Sequence, residues 1–104
     1  MFVTILSGRV AKEDWRTLEK SYERAIRSAP KGILSSMLIQ CEAEPKLWQI
    51  ITTWQSAEIY QNAQEHKLSE TCVNLFCNAG TTPYRNEYRV FGNYSRVYRT
   101  HKKS

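Results

Sequence analysis

The sequence contains few of the residues on which the common catalytic motifs depend. Its only Asp is Asp14, its two His are His66 and His101, and its four glycines stand far apart. Isolated glycines exclude a glycine-rich phosphate-binding loop, and two distant histidines do not make a His-rich metal site. Glu42 and Glu44 fall in a predicted turn, so no pair of catalytic carboxylates stands out. We therefore expect no metal site and no phosphate-binding loop.

Long apolar segments are also missing. The apolar patch Phe2–Leu6 has no basic segment before it, and it is shorter than the roughly 7–15 apolar residues of a signal peptide. No run approaches the ~18 apolar residues of a membrane span. The cysteines at positions 41, 72 and 77 lack metal-ligand spacing, and buried reduced thiols are the default expectation for them. These features predict a cytoplasmic protein that does not bind a membrane.

The positive charge of the chain is concentrated at one end. The net charge is +5, and four of the excess positive charges come from Arg96, Arg99, Lys102 and Lys103. A chain of 104 residues is one domain, and we divide it into a domain of residues 1–94 and a basic tail of residues 95–104. The tail is expected to be solvated or to lie on a partner. The nearly neutral domain lacks the basic stripe that nucleic acid requires, so no nucleic-acid partner is expected.

The pattern of apolar residues predicts four strands and three helices. Alternation at every second residue is typical of strands, and spacings of three and four residues are typical of amphipathic helices. The predicted strands span Phe2–Val10, Ile33–Cys41, Lys46–Trp54 and Tyr84–Phe91, and the predicted helices span Ala11–Ala29, Ser56–His66 and Ser69–Ala79. This order is the split βαβ arrangement of ferredoxin-like folds, which predicts an α+β protein with a four-stranded antiparallel sheet.

The first three predicted strands carry large apolar side chains on both faces. On the first strand Val3 and Ile5 lie opposite Phe2 and Leu6, and on the second strand Leu34 and Leu38 are expected opposite Ile33, Met37 and Ile39. The helices can cover only one face of the sheet. Leaving about six such side chains in water would lose on the order of 10 kcal/mol. A second copy of the sheet is the simplest cover, which predicts a two-fold symmetric homodimer.

Three segments resemble the antibiotic-biosynthesis monooxygenase family. They are Pro30–Gly32, Trp48–Glu58 and Ala63–Ser69. They look like the turn that opens the second strand, the Trp that closes the third strand before a helix, and a His that precedes a Ser by three residues. The resemblance covers roughly Phe2 to Phe91 and implies a dimeric α/β barrel. It also implies an oxygenase that needs no cofactor, neither a metal nor a flavin.

The sequence departs from that family at several positions. Where the family often has a second His followed by Phe, this chain has Thr71 and Cys72. The haem-degrading branch resembles a set of an Asn on the first strand, a Trp on the second helix and a His beyond it. This chain has no Asn on the first strand and no Trp after Trp54. Haem binding or degradation is therefore disfavoured.

The resemblance implies a substrate that, once deprotonated, gives an electron to O₂ itself. The protein then supplies a base, a dry aromatic cavity and hydrogen-bond donors for the developing anion. His66 is the candidate base or donor, and the alternative is a His that interacts with the C-terminal dipole of its helix. Tyr60 and Tyr88 are candidate donors that orient the substrate. Cys72 is a weaker candidate nucleophile, six residues from His66.

The candidate pocket combines strand and helix residues that share a predicted face. Its predicted lining is Thr4, Met37, Trp48, Ile50, Thr52, Trp54, Tyr60 and Phe76. The alternative is that these residues simply fill the core. The leading hypothesis is a cofactor-independent monooxygenase that oxidises a small aromatic, quinol-like or polyketide-like molecule with O₂. Its rival is a non-catalytic dimer of the same fold that binds a small ligand.

Overall fold

A computed structural model describes residues 1–65 and 70–96 of the chain. The strands are β1 (Phe2–Arg9), β2 (Ile33–Gln40), β3 (Leu47–Trp54) and β4 (Tyr84–Arg89), and the helices are α1 (Trp15–Ile26), α2 (Ala57–Glu65) and α3 (Glu70–Asn78), with a 3₁₀ turn at Lys12–Asp14 before α1. The predicted order is confirmed. In the described part of the chain, no helix is long and apolar enough to cross a membrane. The candidate base His66 and the tail beyond residue 96 lie outside the described residues.

The four strands form one antiparallel sheet in the order β2-β3-β1-β4. At its centre Leu6 of β1 pairs with Ile50 of β3 on one side and with Arg85 of β4 on the other. This is the α+β ferredoxin-like fold that the sequence predicts. Because β2 and β4 are the edge strands, the two apolar central strands are shielded on both sides.

The core lies between the helices and one face of the sheet. Leu6, Trp48 and Ile50 supply the sheet side, and Leu18 of α1 and Phe76 of α3 supply the helix side. The close approach of α3 depends on Gly8, because a Cβ at that position would lie 2.8 Å from the Phe76 ring. The alternating burial of β3 follows from this one-sided cover.

The β2 strand contains an irregularity that changes which side chains share a face. The register shifts between Ile33 and Ser35, so that Ile33 pairs with Trp54 and Leu38 pairs with Ile50. Ile33 and Leu38 therefore lie on the same, helix-covered face, and Leu34 is 54% exposed. The predicted grouping of Leu34 with Leu38, and of Ile33 with Met37, is wrong because period-two alternation does not continue through a bulge.

The other face of the sheet is apolar as well. Val3, Ile5, Leu47 and Ile51 are half-buried on this face, and Met37 and Tyr88 remain 56% and 46% exposed. The second apolar face predicted from the sequence is therefore present in the structure.

Candidate functional site

A cavity of about 240 Å³ lies between the helix-covered face of the sheet and the C-terminal half of α1. It is lined by Thr4, Leu6, Tyr22, Ala25, Ile26, Ser28, Ala29, Pro30, Ile33, Ser36, Ile50, Thr52, Trp54, Tyr60, Cys72 and Arg85. Ligand pockets usually measure roughly 300–1,000 Å³, and an engineered cavity of about 150 Å³ binds benzene. The size therefore suits a ligand of one or two fused rings.

The cavity exists because small side chains line it at the end of α1 and in the segment that follows, beside β2. Ala25 lies on α1, which ends at Ile26, and Ser28 and Ala29 follow the helix; these three residues leave space that larger residues would fill. The chain then turns at Gly32, whose φ of 96° favours glycine. The Gly32 carbonyl accepts a hydrogen bond of 2.8 Å from the Gln55 amide. This bond ties the start of β2 to the end of β3 beside the cavity.

One wall of the cavity is aromatic and held in place by hydrogen bonds. The indole Nε1 of Trp54 donates to Thr4 Oγ1 at 3.1 Å, and the Trp54 ring packs edge-on against Tyr60 with centroids 5.2 Å apart. On the other side Tyr22 donates from its hydroxyl to Ser36 Oγ at 2.8 Å. These partners fix the ring orientations, so a flat ligand would meet a rigid surface.

The polar end of the cavity is a chain of three residues. Tyr60 of α2 donates its hydroxyl proton to Glu87 Oε2 at 2.9 Å and accepts a hydrogen bond from Arg85 Nη1 at 3.1 Å. Arg85 and Glu87 both lie on β4, two residues apart, and therefore project to the same side of the sheet. Tyr60 is only 2% exposed.

The environment of Tyr60 keeps its hydroxyl protonated. Burial of the side chain, followed by its hydrogen bond to Glu87, raises the pKa of Tyr60 to about 12, against an opposing effect of the Arg85 charge. At neutral pH the Tyr60 hydroxyl is therefore a hydrogen-bond donor and not a base.

The thiol of Cys72 lies in the cavity wall but is not activated. Burial raises the pKa of this thiol, and the charge of Arg85 opposes the shift only in part. Because the thiolate is the nucleophilic form, a raised pKa disfavours the predicted role of Cys72 as a nucleophile. Within the described ranges, no three His, Cys, Asp or Glu side chains lie close enough to hold a metal ion.

The structure brings together five of the eight predicted pocket residues, and it places the other three, and the candidate donor Tyr88, elsewhere. Thr4, Ile50, Thr52, Trp54 and Tyr60 line the cavity. Trp48 and Phe76 belong to the packed core near α3 instead. Met37 and Tyr88 pair with Ile51 and Val3, which places them on the opposite face of the sheet.

The placement of Tyr88 as a pocket residue is wrong for a physical reason. The opposite sheet face is apolar too, and it takes Tyr84 and Tyr88. The charged positions of β4 consequently project toward the helices.

Arg85 is the cavity residue that the sequence reasoning missed. The signal was the alternation of charged and uncharged residues from Tyr84 to Arg89.

Comparison of the sequence with family models and with curated proteins finds no match. Comparison with solved structures finds clear relatives in shape. A protein from Deinococcus radiodurans, provisionally assigned as an antibiotic biosynthesis monooxygenase, superposes with a TM-score of 0.74 and 10% identity over 93% of this chain and 99% of its own. The shared property is the fold.

Two further solved structures have a named activity. SnoaB, a cofactor-independent oxygenase from Streptomyces nogalater, matches with a TM-score of 0.69 and 12% identity over 88% of this chain and 95% of its own. MhuD, a haem degrader from Mycobacterium tuberculosis, matches with a TM-score of 0.69 and 18% identity over 91% of this chain and all of its own, 100%. The resemblance to the antibiotic-biosynthesis monooxygenase family is thus confirmed at the level of the fold.

Proposed function

We propose that this protein is a cofactor-independent monooxygenase that oxidises a small aromatic, quinol-like or polyketide-like molecule with O₂. The observation that carries the proposal is the cavity of about 240 Å³, which has an aromatic wall and a hydrogen-bonding end at Tyr60 and Arg85. Such a cavity excludes water from a flat ligand and supplies donors to an anion that develops on it. The fold shared with SnoaB supports the same activity.

The proposed reaction needs no external reductant. A ring CH₂ group, which a quinol presents in its keto tautomer, and O₂ give a ring carbonyl and one water, and the substrate supplies all four electrons. The first step is removal of a proton from the substrate by a base, after which the carbanion or enolate gives an electron to O₂. Trp54 and Tyr60 would hold the ring, and Arg85, which uses one of its five N–H groups on Tyr60, would donate to the substrate oxygen. His66 is the proposed base.

Oxygen consumption tests the proposal directly. A panel of one- and two-ring quinols is offered to the protein in an oxygen electrode, and the product is examined by mass spectrometry for one added oxygen atom from ¹⁸O₂. His66→Ala should reduce turnover by roughly 100-fold or more, the usual contribution of a general base. His101→Ala is the matched control, because it removes the other His and should leave turnover unchanged. Turnover that survives His66→Ala would exclude His66 as the base.

The rival proposal is a dimer that binds a small ligand without chemistry. It is supported by Thr71 and Cys72, which replace the family's second His and the Phe after it. Binding of quinols with no oxygen uptake on any of them would favour this rival. Haem is tested separately by titration: an unchanged Soret band excludes haem binding, and the cavity volume of about 240 Å³ is small for a tetrapyrrole.

We also propose that the protein is a homodimer in which the apolar sheet faces of two copies pack together. The half-exposed Met37 and Tyr88 support this arrangement, since they would be buried in it.

The free thiols of Cys41, Cys72 and Cys77 are consistent with a cytoplasmic location. We also propose that the chain consists of a domain of residues 1–94 and a basic tail of residues 95–104.

A further inference from the structure

We propose that Arg85 makes the cavity selective for ligands that carry an anionic oxygen on a flat apolar body, such as an aromatic carboxylate or a deprotonated acidic phenol or enol. This inference deepens the proposed function, since it concerns the same cavity. It depends on the charge and geometry of Arg85 and not on whether O₂ reacts there.

Arg85 is the one charged side chain in the cavity lining of the described residues. The other lining residues are apolar or neutral, and no Asp or Glu is among them. A positive charge beside apolar walls is screened less than one in bulk water. Glu87 offsets this charge in part from the far side of the Tyr60 hydroxyl, but it does not line the cavity. A neutral ligand gains nothing from the Arg85 charge, whereas an anion gains from it directly.

The guanidinium of Arg85 has donors to spare. Across residues 1–65 and 70–96 the one ion pair joins Arg9 to Glu44, far along the sheet from the cavity. Arg85 uses one donor on the neutral hydroxyl of Tyr60 at 3.1 Å, and a guanidinium carries five N–H groups. The nearest acid on the strand, Glu87, accepts a hydrogen bond from the Tyr60 hydroxyl at 2.9 Å, and among the described residues it forms no ion pair with Arg85. The positive charge therefore remains available to a ligand.

Tyr60 holds Arg85 in position for this role. The Tyr60 ring is itself packed against Phe2 and Trp54, with centroids 5.3 and 5.2 Å away. The Arg85 Cζ lies 6.0 Å from the centre of the Tyr60 ring, and the hydrogen bond to the hydroxyl fixes its direction. A planar guanidinium held in this way can bind a carboxylate with two parallel hydrogen bonds.

The position of Arg85 also bears on reactivity. A positive charge next to an acidic oxygen favours the deprotonated form of that group. An enol or phenol bound against Arg85 would consequently be held as its anion, which is the electron-rich form that reacts with O₂. Substrates without such an oxygen would bind through ring contacts alone.

A pair of probes of equal size separates charge from shape. 2-Naphthoate and 2-naphthamide are titrated into the protein by isothermal calorimetry at neutral pH. We expect naphthoate to bind about 10- to 100-fold more tightly than naphthamide, as a hydrogen bond to a charged group predicts. Arg85→Gln should remove that preference and leave the affinity for naphthamide within about twofold.

Two further variants control the experiment. Arg89→Gln removes the same charge from the same strand at an exposed position outside the cavity lining, and it should keep the preference. Arg85→Lys keeps the charge without the planar fork, and it should retain part of the preference. Circular dichroism establishes that each variant is folded, and Arg85→Lys carries the test if Arg85→Gln does not fold.

Several outcomes would overturn the inference. They are equal affinities of the two probes for the wild type, no binding of either probe, or an equal loss of preference in Arg89→Gln and Arg85→Gln. The oxygenase proposal is judged by oxygen uptake, which is independent of these titrations. Uptake with a neutral quinol and no charge preference would sink the inference alone, whereas a clear preference without uptake on any substrate would sink the oxygenase alone.

Discussion

The polar end of the cavity is organised by single residues whose environments decide what they can do. Tyr60 is buried and bonded on both sides of its hydroxyl, to Arg85 as acceptor and to Glu87 as donor. Its pKa of about 12 removes it from consideration as a base near neutrality. Tyr60 is therefore not the proton acceptor, and its hydroxyl instead supports Arg85; His66 stays the predicted base.

The raised pKa of Tyr60 predicts a loss of stability at high pH. The pKa of tyrosine in an unfolded chain is about 10, so the folded state keeps this proton to higher pH than the unfolded state does. The protonated Tyr60 hydroxyl therefore contributes fully to the free energy of unfolding below about pH 10, and this contribution is lost as the pH rises toward about 12. Urea unfolding at pH 9 to 11.5 should show this fall in the wild type, and a smaller fall in Tyr60→Phe.

A change at Glu87 tests what raises the pKa of Tyr60. The Glu87 carboxylate is the second contributor to the raised pKa of Tyr60, after burial. Glu87→Gln should therefore bring the pKa of Tyr60 closer to its ordinary value and flatten the decline in stability, without abolishing it. An identical decline in the wild type, Tyr60→Phe and Glu87→Gln would show that other groups cause it.

At the scale of elements, the sequence was sufficient to predict the number, type and order of the strands and helices. It was insufficient to predict which side chains of β2 and β4 face the helices. Alternation located β1 and β3 correctly because both strands are regular from end to end. On β2 the bulge at Leu34 broke the alternation, and a bulge leaves no reliable trace in a single apolar run. On β4 both faces are partly apolar or charged, so composition could not decide which side Arg85 and Tyr88 would take.

The contact between β1 and α3 predicts a sensitive position at Gly8. An added methyl group there would lie 2.8 Å from the Phe76 ring and 3.1 Å from Thr81, so α3 would have to move away from the core. Gly8→Ala should lower the free energy of unfolding by about 1–3 kcal/mol, as measured by urea denaturation. The double variant Gly8→Ala with Phe76→Leu should recover part of the loss.

The matched control for this contact is Gly92→Ala. A methyl group at Gly92 meets nothing within 4 Å, so its effect on the free energy of unfolding should fall within about 0.5 kcal/mol. If Gly8→Ala were as well tolerated as Gly92→Ala, the tight packing of α3 on β1 would be refuted.

At the scale of the whole molecule, a domain of this size has one covered sheet face and one open face. Each half-exposed apolar side chain that becomes buried gains up to about 1.5–3 kcal/mol, and the open face carries several of them, among them Ile5, Ile51 and Met37. A two-fold axis through this face would bury the same residues from both copies at once. The fold positions the cavity on the other side of the sheet, so dimerisation would leave Arg85 and Tyr60 in place within each subunit.

This arrangement predicts that a charge at Met37 disrupts association. Met37 is 56% exposed in a single subunit, and Met37→Glu would place two like charges at the symmetric interface, one from each copy. An unpaired buried charge costs about 3–5 kcal/mol, so the dimer dissociation constant should rise by at least about 100-fold in sedimentation equilibrium. Met37→Leu keeps the side chain apolar at similar size and should associate like the wild type. A wild type that stays monomeric at high concentration would show that this face is not a dimer interface. A Met37→Glu variant that associates as well as the wild type would show the same, and something other than a second copy of the sheet would then have to cover the apolar face.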